Sequence, residues 1–222
     1  MKKLKIPTNL TKLAYQSIKE YILAGRMDES SRLTEEFLSS QLGISKSPIR
    51  EACNRLEAEG LIRIEPRRGA YLRTLTTKEI ADLYDLREAL EVHVVRTAQL
   101  TLKLIESLKA SVARMREHLA CNNKASYIEE DVEFHANLAR ATGNDHLCAV
   151  LENLQNQIWL ARRRTYDLSS STAPAAHDAI IQALEAGDRD AAQQAMSKHI
   201  STVCRRLLQF LATEETTKRA AG

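Results

Sequence analysis

The chain has 222 residues, 44% of them hydrophobic and 5% aromatic, with 32 Lys/Arg against 29 Asp/Glu for a formal net charge of +3. That length suits one sizeable domain or two small ones with a real core, and the scarcity of aromatic, Gly and Pro residues points to helices. No apolar run reaches the roughly 18 residues that a membrane-spanning helix needs, and the basic start MKKLKIPTNLTKLAYQS lacks an apolar stretch and a cleavage site, so a cytoplasmic protein with no membrane partner is expected.

In chain order, Lys12 to Leu23 places Leu13, Ala14, Ile18, Ile22 and Leu23 at helical spacing and stops at Gly25. Arg26 to Arg32 is polar and reads as a connection. Leu38 and Leu42 then lie four apart on a short helix ended by Gly43. Ser45 is a candidate N-cap for a second helix carrying Ile49, Ala52 and Leu56, and Pro48 falls in its first turn, where a missing N–H has no intrahelical partner to lose. Two short helices around a tight turn make a helix-turn-helix outline. Lys46, Ser47 and Arg50 open the second helix with side chains suited to phosphates and base edges. Gly60 stops it. Leu61 to Ile64 and Ala70 to Thr74 predict a small two-stranded wing, joined through Glu65-Pro66-Arg67-Arg68-Gly69, whose tip is basic.

Thr76 followed by Glu79 is a capping-box signature. It divides the chain into a winged helix-turn-helix over residues 1–75 and a remainder over 76–222. The first part holds 14 Lys/Arg against 9 Asp/Glu and the second 18 against 20, so the basic excess belongs to the helix-turn-helix. Six amphipathic helices are expected over 77–98, 101–121, 125–141, 144–164, 173–186 and 188–213, with a frayed tail after Thr213. Short connections favour an antiparallel all-α bundle, and the fold class is mainly α. Cys53, Cys121, Cys148 and Cys204 form no CxxC pair and read as reduced, mostly buried thiols.

Asp131 and His135 lie four apart and share one helix face. His177 and His199 flank the turn at Gly187-Asp188, each roughly 16–18 Å from it at the α-helical rise, so an antiparallel hairpin brings them level. Three imidazoles and a carboxylate that converge suit a divalent ion, zinc above all, with nickel or manganese open. Solvent-facing or hydrogen-bonded histidines are the commoner outcome of such spacing, and His93, His118 and His146 have no comparable partners. A metal-dependent hydrolase with a DNA-binding appendage is the alternative reading, and a plain dimerisation bundle with structural histidines is a third. No HExxH, nucleophile elbow, Gly-rich phosphate loop or placed general base is present, so no enzyme is expected and no catalytic residue is assigned. Arg87 and, behind it, Arg163 are candidates to pair with a carboxylate effector, or simply surface ion pairs.

LSSQLGISKSPIREACNRLEAEGLIRIEPRRGAYL from Leu38 to Leu72, LYDLREALE, DVEFHANLARATGN from Asp131 to Asn144, His177 and MSKHI carry a resemblance to the GntR family of transcription regulators. The C-terminal part resembles the FCD domain of its FadR-type subfamily, in the shorter, six-helix variety like VanR. The resemblance implies Lys46 and Arg50 as DNA-reading positions, Ser45 and Ser47 as backbone contacts, and Arg68 with Gly69 as the wing tip at the minor groove. It implies Asp131, His135, His177 and His199 as metal ligands. A homodimer that binds a palindromic double-stranded DNA operator and responds to a small carboxylate follows. Two positions depart from the pattern: Glu36 stands where relatives carry an arginine, and Lys46 replaces the more usual arginine.

Overall fold

The computed structural model describes residues 10–28 and 31–220, apart from the side chains of residues 163–165, 215 and 218–220. The chain separates into two compact units, Met1–Thr74 and Leu75–Gly222.

The first unit runs α1 (Leu10–Leu23), β1 (Arg32–Leu33), α2 (Glu35–Leu42), α3 (Lys46–Ala58), β2 (Ile62–Glu65) and β3 (Gly69–Leu72). Helix α1 packs on α3, and the apolar stripe Ala14, Ile18 and Ile22 is buried together with Ile49, Ala52 and Leu56. Thr34 caps α2 by accepting from the Phe37 amide at 3.1 Å. The left-handed Gly43 (φ 65°) ends that helix. Ser39 Oγ donates to the Ile44 carbonyl at 2.6 Å and holds the turn, so α3 leaves α2 in a defined direction. Ser45 occupies the N-cap position of α3 without a side-chain cap bond, which keeps its hydroxyl available.

The hairpin β2–β3 gains a third strand, because Arg32 and Leu33 pair antiparallel with Tyr71 and Ala70 in the order β1-β3-β2. Two residues are too few to show a period in the sequence. Nor is Arg26 to Arg32 only a polar connection, since Met27 is fully buried within it. A side chain at Gly69 (φ 111°) would place its Cβ 2.8 Å from the Leu33 carbonyl oxygen, so β1 can lie beside β3 only with glycine there. At the wing tip the Arg68 amide bonds the Glu65 carbonyl at 3.0 Å. Pro66 is second in this turn and Arg67 third, at φ 64°, the position that a type II turn holds at positive φ.

The second unit contains α4 (Thr77–Thr97), α5 (Leu102–Ala120), α6 (Lys124–Arg140), α7 (Asp145–Thr165), α8 (Ala173–Glu185) and α9 (Arg189–Ala220), with a 3-10 turn over Tyr166–Leu168. Thr76 and Glu79 form the capping box of α4, while Thr101, Asn123 and Asn144 cap α5, α6 and α7 by accepting amide hydrogens. Helix α9 lies along α4 and α8, and α5 along α6. Their facing stripes make one core that includes Leu108, Phe134, Leu138, Ile180, Met196 and Ile200. Arg189 binds the Val95 and Ala98 carbonyls at 2.6 and 2.7 Å, a cation at the C-terminal end of α4 where the orphan carbonyls collect. Helix α9 packs on the core through Leu207, Leu208 and Leu211 and runs on to Ala220, past the frayed end expected after Thr213. Among the four cysteines only Cys53 is buried; Cys121 is exposed and Cys148 and Cys204 are intermediate. No helix among the described residues is long and apolar enough to cross a membrane.

Candidate functional site

The structure brings Asp131 and His135 from α6, His177 from α8 and His199 from α9 to one point inside the second unit. One ligand atom from each lies within 4.8 Å of every other, and all four residues are buried. His177 Nε2 stands 3.2 Å from His199 Nε2 and 3.7 Å from Asp131 Oδ1. Phe134 stacks on the His177 ring with centroids 4.1 Å apart and restricts its rotation. Burial pushes the His177 imidazole down to about 3. Burial, then the neighbouring His177 and His135, also holds His199 well below the usual range. Both rings are therefore neutral at physiological pH, the state in which imidazole ligates a metal. Burial alone would raise the Asp131 carboxyl, but the Arg162 guanidinium outweighs it and keeps the group ionised.

A second tier of charge surrounds these four. Glu91 on α4 is paired with His135 Nδ1, and its Oε1 accepts from Arg87 Nε at 2.7 Å and Gln155 Nε2 at 3.2 Å. Burial would raise Glu91, but His135 and Arg87 override it and hold its carboxyl at about 2. With Nδ1 committed to Glu91, His135 presents Nε2 to the cluster, the carboxylate–histidine arrangement that orients metal-binding imidazoles. His135 Nε2 and Asp131 Oδ1 are buried without a hydrogen-bond partner. Unpartnered buried acceptors are costly, and a divalent cation would satisfy both. The donor set therefore fits such an ion.

Arg87 is not on the surface. It is 1% exposed, its Nη2 is unpartnered, and the Tyr84 hydroxyl is likewise buried without a partner. The Arg163 side chain lies outside the described residues, while its neighbour Arg162 reaches inward to Asp131. Glu91 and Arg162 were not singled out from sequence; the Arg87–Glu91 spacing of four is the signal that marks the first. Two cavities approach the centre. One of about 370 Å³ between α6 and α7 includes Glu91, Glu133, His135, Arg140 and Glu152 in its wall. The other, about 530 Å³ between α8 and α9, includes Lys198, His199 and Arg206.

In the first unit the candidate DNA contacts Ser45, Lys46, Ser47, Arg50 and Arg68 are exposed and Gly69 is half-buried. Arg50 is gripped by Glu35 through Nε and Nη2, each at 2.7 Å, and Lys46 is paired with Glu36. Arg68 is held by Glu65 at 3.2 Å. Arg67, beside it at the tip as the turn sequence predicts, is exposed and carries no ion pair among the described residues; the family resemblance marks only Arg68 and Gly69 there as contacts. Gly69 sits at the base of the tip, where the fold itself demands glycine. Ser45 and Ser47 stand at the start of α3 with Lys46 between them. The Cys53 thiol is pushed up to about 11 by burial and the nearby Glu35, and so is unreactive.

Residues 82–202 match the FCD domain, and residues 10–72 match the bacterial regulatory proteins of the gntR family. A Bacillus subtilis protein described as an uncharacterized HTH-type transcriptional regulator, YdhC, is 29% identical over 94% of this chain and 96% of its own length. A probable D-xylose utilization operon transcriptional repressor of Paenarthrobacter nicotinovorans is 28% identical over 81% and 80%. Among solved structures, E. coli McbR/YncC superposes with a TM-score of 0.80 at 19% identity, covering 91% of this chain and 98% of that one. These families and relatives are regulators rather than enzymes, which leaves the hydrolase reading without support.

Proposed function

We propose, since the chain belongs to the GntR family of bacterial regulatory proteins and carries an FCD domain, that its bundle is a metal-dependent sensor of a small carboxylate. The chain is a DNA-binding transcriptional regulator.

The observation that carries this reading is the buried convergence of Asp131, His135, His177 and His199 beside the unpartnered Arg87 Nη2. Those four residues would hold the ion, zinc being the borderline metal that suits three imidazoles and a carboxylate, with nickel or manganese as substitutes. When bound, it would supply Lewis acidity and open positions for a carboxylate oxygen. Without it, Arg87 and Arg162 balance Glu91 and Asp131, and the His177 and His199 rings add no charge. A divalent cation leaves an excess of two positive charges, which a small dicarboxylate would neutralise. Arg87 Nη2 and the Tyr84 hydroxyl are the donors in place to orient such an anion. The cavity between α8 and α9 has Lys198 and Arg206 in its wall and no carboxylate. The α6–α7 cavity has three carboxylates against one arginine, so an anion would enter by the former.

The head would place the opening turn of α3 in the major groove and the wing tip at the backbone or minor groove, with Ser45, Lys46, Ser47, Arg50, Arg68 and Gly69 at the interface. One such head neutralises few phosphates. A homodimer on a palindromic operator raises affinity by making the second contact intramolecular. Effector binding changes operator affinity only insofar as the acid binds the DNA-bound and free arrangements differently.

A thermal-shift screen of small mono-, di- and tricarboxylates tests the sensor. On zinc-loaded protein one class should raise the melting temperature and change operator affinity, and the shift should vanish after chelation. A shift of equal size in chelated protein, or none with any acid, would contradict it.

A further inference from the structure

The two ion pairs on the reading face are built differently. Glu35 holds Arg50 along its Nε–Nη2 edge, which leaves the Nη1–Nη2 edge of a side chain 63% exposed for a pair of acceptors. Glu35 is itself shielded, with 32% of its side chain exposed. Its geometry is that of a buttress. Glu36 is 70% exposed and pairs with the ammonium of Lys46, itself 48% exposed, and with no other cation among the described residues. It stands where α2 meets the opening residue of α3.

We propose that Glu36 and Lys46 form a base-reading pair that selects a C·G base pair in each operator half-site. Glu36 accepts from the cytosine 4-amino group, and Lys46 donates to O6 or N7 of the paired guanine. This rests on the reading above in which α3 enters the major groove. A carboxylate brought to DNA is repelled by phosphates unless it finds a donor, and the major-groove donors are the amino groups of cytosine and adenine. In an A·T pair the adenine amino group lies between two acceptors, adenine N7 and thymine O4, which oppose a carboxylate on either side. In a C·G pair the amino group lies at the end of the row, with both guanine acceptors on one side. An ammonium beside a carboxylate matches that row of acceptors and donor, so the two side chains can exchange each other for a base pair without stranding a charge.

The test is selection from a randomised duplex DNA library by the full-length protein, with Glu36→Gln and Glu36→Ala in parallel. Wild-type protein should enrich a palindrome with one C·G pair per half-site, preferred roughly tenfold or more over the other pairs. Glu36→Gln should move the preference at that position alone toward adenine, which glutamine reads through N6 and N7, and Glu36→Ala should abolish it there. Identical selected sequences in all three proteins would overturn the proposal. So would tighter binding of every DNA by Glu36→Ala with no change of sequence, which would mark Glu36 as merely repulsive. If the wild type enriches no sequence at all, the DNA-reading premise itself fails.

Discussion

The two units handle charge in opposite ways. In the head, Arg50, Lys46 and Arg68 are each paired with a carboxylate at the surface, where an ion pair is worth little and water or phosphate can replace either partner. In the bundle, Arg162–Asp131 and Arg87–Glu91–His135 are sealed in the core, where a lone charge would cost several kcal/mol. Exchangeable pairs suit a surface that must trade partners with DNA. Buried pairs with leftover unpartnered atoms suit a site that waits for one ligand. On the function proposed above, the same residue types would serve transient contact in one unit and a receptor in the other.

That contrast breaks most visibly by removing one member of a pair in each unit. Arg162→Ala strands the Asp131 carboxylate in the core, so urea unfolding of the chelated protein should show the bundle destabilised by about 3–5 kcal/mol. Zinc should restore a large part of the loss, because a cation at Asp131 supplies the missing positive charge. An effect under about 1 kcal/mol would mean that the interior tolerates a lone charge and would erase the distinction. Arg50→Ala removes a surface partner and should leave the unfolding midpoint unchanged. It should weaken selected-operator binding roughly ten- to hundredfold at matched salt. Unchanged affinity would remove Arg50 from the reading set.

Much of this was legible in the sequence because short-range rules governed it. The helix-turn-helix announces itself through Gly43, Pro48 and the spacing of Leu38, Leu42, Ile49, Ala52 and Leu56, and the α4 boundary through Thr76 and Glu79, all local features. His177 and His199 converge because their distances from one tight turn are nearly equal, which needs only a helical rise and an antiparallel hairpin. What stayed hidden depends on packing between elements remote in the chain. Strand β1 exists only because β3 offers it an edge. Arg162 and Glu91 face inward because of how α7 and α4 are rotated in the bundle. A spacing of four, as between Arg87 and Glu91, ordinarily marks a solvated helix face. The wing-tip turn shows the same limit: its composition puts arginines at the tip, but only the backbone decides that Arg68 is tied to Glu65 and Arg67 is not.

The central claim is that the buried histidines and aspartate are a metal receptor and not a structural knot. Elemental analysis of protein purified without chelator, beside His177→Ala, tests it most directly. The account predicts about one equivalent of zinc, or another divalent ion, per chain in the wild type and none in the variant, with the wild-type melting temperature falling on chelation. Wild-type protein free of stoichiometric metal, whose melting neither chelator nor added zinc changes, would contradict it.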